Sequence, residues 1–125
     1  MKKKINPIIT FVIVISLLSC KKQNIPLTPV QSDTFSATIE DKLVIFPATK
    51  NTASINIIAG TNGWSLTQNT GNSWLVADKN FGAGDYKLRV TLNANATGAQ
   101  RTTVLRLVST NSNLPAVLLN ITQDK

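Results

Sequence analysis

Histidine is absent from this chain, and cysteine and methionine occur once each in 125 residues. A single cysteine leaves no pair for an internal disulfide. Without histidine there is no Cys/His zinc cluster and no histidine-based catalytic triad. Acidic residues are scarce, six against thirteen lysines and arginines. Aromatic residues make up 6% and charged residues 15%, while hydrophobic residues reach 42%, a composition that folds rather than stays disordered. The length allows one domain and leaves no room for two.

The formal net charge of +7 is unevenly spread. Lys2, Lys3, Lys4, Lys21 and Lys22 crowd the N-terminal part, and residues 33–125 hold eight basic against six acidic side chains. A nucleic-acid binder concentrates basic residues on its folded domain, so this near balance argues against nucleic acid as a partner.

Residues 1–19 read as a targeting segment. Lys2 to Lys4 precede an apolar stretch from Ile8 to Leu18, broken only by Thr10 and Ser16. As a helix it would cover about 16 Å at 1.5 Å per residue, about half of a hydrocarbon core of ~30 Å. It is therefore a signal-peptide core and not a spanning helix. Leu17-Leu18-Ser19-Cys20 follows at once. This arrangement resembles the bacterial lipoprotein signal, with Cys20 at the lipidated position, Ser19 as the small residue before the cut and Leu17 as the leucine three places before Cys20. The resemblance implies cleavage before Cys20, acylation of its sulfur and a membrane anchor of more than one chain, as stable anchoring requires. It would consume the only thiol.

Residues 20–32 are expected to carry the lipid and a tether. Pro26 and Pro29 disfavour helix and ladder alike, and twelve residues at about 3.1 Å each reach ~37 Å. From residue 33 onward the hydrophobic period is two. Tyr86, Leu88, Val90 and Leu92 share one face and Lys87, Arg89 and Thr91 the other. Similar alternation runs through 53–59, 103–108 and 117–122, with turn-forming Gly and Asn clusters between. The pattern predicts strands near 35–40, 42–47, 53–59, 63–68, 74–78, 85–93, 101–108 and 116–123. Short strands at this spacing specify an all-β sandwich of seven or eight antiparallel strands over residues 33–125.

Within that pattern lie Trp64 in Gly63-Trp64-Ser65-Leu66, Trp74 in Ser73-Trp74-Leu75, Asn95, Arg101 at the start of a strand and the closing Ile121-Thr122-Gln123. Their order and spacing resemble the BACON domain, whose name stands for Bacteroidetes-associated carbohydrate-binding, often N-terminal. The resemblance spans about residues 42–124. It implies an immunoglobulin-like sandwich of the bacterial envelope, associated with glycans, but carries no defined set of binding residues.

The residues themselves offer five candidates for glycan contact: Trp74, Phe81, Trp64, Asn72 and Asp85. A flat indole can stack on a pyranose face. The competing assignment for both tryptophans is the core, where each would bury 150–250 Å², or about 4–6 kcal/mol as an upper estimate. Trp64 is in phase with Leu66, which favours the core. Phe81, beside Gly82-Ala83-Gly84, reads either as a ligand platform or as a plug over the sandwich end, and the plug is preferred. Asp78 and Asp85 bracket one loop but read as solvated charges, not as a hydrolytic carboxylate pair. Lys87, Arg89 and Arg106 would form a basic stripe if their strands were neighbours.

The sequence thus points to a non-catalytic envelope lipoprotein, lipid-anchored to the outer membrane and presenting or binding glycans through loops 60–63, 69–73 and 79–85. The other reading is a structural module that docks to outer-membrane proteins through an edge strand. No cofactor or metal is expected. Lys21 and Lys22 directly after Cys20 lean the expectation towards the periplasmic face.

Overall fold

The computed structural model describes residues 29–41 and 45–125. The signal segment, Cys20, most of the tether and residues 42–44 of one expected strand lie outside them.

Eight strands form two antiparallel sheets, and no helix occurs among the described residues. The strands are β1 Ser36–Ile39, β2 Thr52–Ile58, β3 Gly63–Gln68, β4 Leu75–Ala77, β5 Phe81–Ala83, β6 Tyr86–Leu92, β7 Arg101–Ser109 and β8 Val117–Gln123. One sheet has the order β1-β2-β6-β4 and the other β5-β3-β7-β8, the sandwich the alternation specifies and of the immunoglobulin-like kind the family resemblance implies. Ala53, Ile55, Ile57, Leu88, Val90, Leu92, Leu105, Leu107 and Ile121 are all buried between the sheets. Their alternate neighbours Lys87, Arg89, Thr91 and Arg106 are exposed.

Two segments differ from the expected strands. The segment 42–47 contributes, in its described part, an isolated bridge in which Phe46 lies parallel to Gln123. Phe81–Ala83, expected as loop, is an edge strand paired with β3, with Gly82 opposite Trp64. A Cβ on Gly82 would sit 2.5 Å from Trp64 Cζ2, so the glycine lets the backbone close directly over the indole.

The sandwich has two distinct ends. The entry end gathers residues 29–35, 59–62, 84–85 and 110–116, and the far end gathers 50–51, 69–74, 93–100 and 124–125. At the entry end the lead is stapled to the domain. Ser32 N donates to Asn62 Oδ1 at 3.0 Å, while Asn62 Nδ2 and Asn111 Nδ2 donate to Ser32 O. Thr61 N donates to Ser32 Oγ and Thr61 Oγ1 to Val30 O. The sequence boundary between tether and domain at 32/33 cuts through this staple.

At the far end Gln123 is fully buried and acts as a hub. Its Oε1 accepts from Arg101 Nε at 3.0 Å and Nη2 at 2.8 Å, and its Nε2 donates to the carbonyls of Ala48 and Lys50. Arg101 also donates to Asn93 O and lies over the Trp74 ring, 4.5 Å from its centroid. Asn95 Nδ2 donates to Ala99 O and Asp124 O, both at 2.7 Å. Arg101, Gln123 and Asn95, singled out by family resemblance, thus close the far end of the sandwich.

Candidate functional site

The five glycan candidates do not form one site. β3 separates loop 60–63 from loop 69–73 by six residues, or about 20 Å at 3.3 Å per residue. Asp85 therefore lies at the entry end, and Asn72 and Trp74 at the far end. Trp64 is 2% exposed and Trp74 9%. The Trp64 ring is enclosed by Gly82 and Tyr86, and its Nε1 donates to Gly84 O at 3.2 Å. The Trp74 ring carries the Arg101 guanidinium. Neither indole offers a free face, because a sandwich with few aromatics places its two largest side chains in the core. Asn72 turns its amide to Thr103 Oγ1 at 2.7 Å and to Asn69 O.

Asp85 holds the entry end together. Its Oδ1 accepts the backbone N–H groups of Ala59 and Gly60, both at 2.8 Å. Gly60 has a φ of 59°, and a side chain there would collide with Ser32 Oγ. The Gly60 and then the Ala59 N–H hold the Asp85 carboxyl below the usual aspartate range. A depressed folded-state value stabilises the fold above the unfolded value of about 3.9, and this stability is lost as pH falls through the folded value. In urea titrations from about pH 6 down to about pH 2, Asp85→Asn is expected to lower the midpoint at neutral pH and to flatten its acid dependence. An unchanged acid slope would show that the two N–H bonds do not contribute.

Asp78 is likewise structural. Its Oδ2 accepts from Tyr86 Oη at 3.1 Å, its Oδ1 from Arg89 N at 3.2 Å. The basic stripe does not form, since Lys87 and Arg89 lie on β6 and Arg106 on β7, in different sheets. Lys87 pairs with Glu40 at 2.7 Å.

Phe81 lies on one flank of the sandwich, away from both ends. Here the chain crosses between the sheets three times in succession, from β3 to β4, from β4 to β5 and from β5 to β6. Both edge strands on this flank, β4 and β5, have only three residues. Phe81 is 77% exposed, so it does not plug the sandwich end. Its partner on β3 is the exposed Ser65, which puts the ring on the outer face while Gly82 faces Trp64. Residues 77–82 line an open depression of about 540 Å³. Beside it Tyr86 is half-buried on Trp64, with ring centroids 5.7 Å apart, and carries the Lys79 ammonium 4.4 Å from its own centroid. The sequence pointed to loop 79–85 without singling out Lys79 or Asn80 within it, and Tyr86 read as plain core. The one available signal was that Tyr86 opens a faultless alternating strand, so its hydroxyl end reaches the rim.

A second, polar depression of about 290 Å³ lies over Glu40, Asp41, Lys50, Thr52, Ala53 and Ser54. Lys50 and Asp41 pair across it at 3.1 Å. Among the described residues no group of three potential metal ligands comes together.

The fold is that of an immunoglobulin-like β-sandwich domain. Residues 63–124 match the family profile described as "BACON: Putative binding domain, N-terminal". Comparison with curated proteins gives no match. Among solved structures the fold is similar to part of a Bacteroides ovatus GH5 xyloglucanase in complex with a XXXG heptasaccharide. The TM-score is 0.58 and the identity 23%, over 71% of this chain and 19% of that chain. This chain therefore corresponds to about a fifth of that enzyme. The Pseudomonas aeruginosa CupB2 chaperone matches at TM-score 0.48 and 13% identity, over 70% of this chain and 54% of that chain. WR4, a C. elegans MSP family member, matches at 0.45 and 10%, over 70% and 95%.

Proposed function

We propose that the chain is a lipid-anchored, non-catalytic module of the bacterial envelope that binds glycan on the flank formed by Phe81, Asn80, Lys79 and Tyr86. The supporting observation is Phe81 itself: a large ring left in solvent on a three-residue edge strand, beside a depression with polar groups at hand. An aromatic face next to amide and ammonium donors suits a sugar, which has an apolar ring face and hydroxyls at its rim. The BACON match and the resemblance of Cys20 to a lipidation site support the glycan and envelope parts of the reading.

Phe81→Ala tests it. In glycan-binding assays with the purified full chain in mild detergent, the variant is expected to lose at least about tenfold in affinity, the scale of an aromatic contact worth ~1.4 kcal/mol. Its stability should stay within about 0.5 kcal/mol of the parent, as for other exposed positions. Equal binding by both chains would remove Phe81 from the site. Cys20→Ala is expected to release the chain from the membrane fraction.

A second reading, docking of a protein strand, rests on the same edge. Asn80 O accepts from Leu66 N and Gly84 N donates to Asn62 O, so residues 80, 82 and 84 face β3. The backbone groups of Phe81 and Ala83 therefore point outward, unpaired by β3. Strand addition would slow amide exchange at Phe81 and Ala83, whereas a stacked sugar would leave it fast.

A further inference from the structure

We infer that the sugar taken by this flank is an acidic one, a pyranoside bearing a carboxylate, with Lys79 as the group that reads the acid. The inference rests on the glycan reading above and narrows it. Every carboxylate side chain of the sequence lies among the described residues, and the two ion pairs there are Lys50–Asp41 and Lys87–Glu40. Lys79 belongs to neither. Its ammonium lies over the Tyr86 ring, a contact that fixes the charge in place without neutralising it. Asp78, the acid beside it in the depression, has both oxygens engaged, by Tyr86 Oη and by Arg89 N. Its carboxylate is thereby held against Tyr86 and Arg89 of β6, and it keeps its charge.

The placement suits a uronate unit. Lys79 precedes Phe81 by two residues on the stretch that lines the depression, so a ring resting on Phe81 would bring its edge substituents toward Lys79. Asn80 between them supplies an exposed amide for hydroxyls. A neutral sugar would offer the ammonium hydroxyls but no opposite charge. A carboxylate would give it the partner it lacks, at an exposed site where such a pair is modest in strength and sensitive to salt.

The test uses the full chain in mild detergent and three polymers: polygalacturonate as the carboxylated probe, chondroitin sulfate as the probe that adds sulfate, and xyloglucan as the neutral one. The expected order places polygalacturonate first. Lys79→Gln should weaken it about fivefold, or ~1 kcal/mol, and weaken xyloglucan by less, so that the preference for the acidic polymer narrows. Lys79→Arg should restore it, and raised salt should mimic Lys79→Gln. Equal affinity for the acidic and neutral polymers, unaffected by Lys79→Gln but lost in Phe81→Ala, would overturn the acidic-sugar inference and keep the glycan reading. Preference for chondroitin sulfate over polygalacturonate would overturn the carboxylate assignment. Failure of the parent chain to bind any of a broad glycan panel would overturn both.

Discussion

A Gln123→Leu chain is expected to lose about 3 kcal/mol of stability, read as a fall in urea midpoint at unchanged slope. Leucine fills much of the same volume but supplies neither end of the amide. The guanidinium of Arg101 would lose the acceptor shared by Nε and Nη2, and the Lys50 carbonyl would lose its donor, while Ala48 O keeps the Asn95 N–H. Each buried group left without a partner costs about 1–3 kcal/mol. In a domain of this size ~3 kcal/mol corresponds to a melting temperature about 12–24 °C lower. Gln123→Glu separates the two halves of the hub. It keeps acceptors for Arg101 and adds a charge partner, but it sets a carboxylate against the carbonyls of Ala48 and Lys50. If the fold tolerates Glu far better than Leu, the Arg101 contact dominates. A leucine variant as stable as the parent would show that water can replace the hub.

Trp64→Ala is the second large effect, about 3–5 kcal/mol by analogy with other buried aromatics. Against a total of about 5–15 kcal/mol this approaches global unfolding. The loss would not stay in the core. Gly82 and Tyr86 both pack on the indole, so β5 and the rim that carries Lys79 would lose their floor. Trp64→Phe, which keeps a ring there, should retain more of the stability and the glycan affinity in parallel. Fluorescence reports directly on the burial. A Trp74→Phe chain leaves Trp64 as the sole emitter, and its emission should be blue-shifted and resist acrylamide. Red-shifted, readily quenched emission would place that ring in solvent.

The sandwich was legible because its long strands alternate without ambiguity. Tyr86 to Leu92 and Arg101 to Ser109 need one face buried, and a single residue of slippage would invert them. Phe81–Ala83 was not legible, because two of the three residues are small and the third points outward. That strand exists as the lid of Trp64, a long-range requirement with no local period. The same reason hid the site. Phe81 could be named from its glycine neighbours, but the union of Lys79, Asp78 and Tyr86 depends on a crossing from one sheet to the other. Asp85 and Asn72 were named as glycan candidates and bond within the fold instead, Asp85 to the Ala59 and Gly60 N–H groups and Asn72 to Thr103 and Asn69, since a carboxylate or amide that caps neighbouring groups looks the same in sequence as one that waits for a sugar.

The staple at Ser32 also has a mechanical meaning. The N-terminal lead leaves the sandwich at the entry end, and Asp124 and Lys125 leave it at the far end. Tension between the two would run along the strand axes, so the ladders of β1 and β8 would be sheared as sets of bonds instead of peeled one at a time. Before that load reached β1 it would have to break the bonds from Thr61, Asn62 and Asn111 to residues 30–32. These bonds join no strand and can re-form without refolding the core. Under a pull the domain would yield first at this sacrificial clasp, lengthening its lead by a few residues while the sandwich stayed whole.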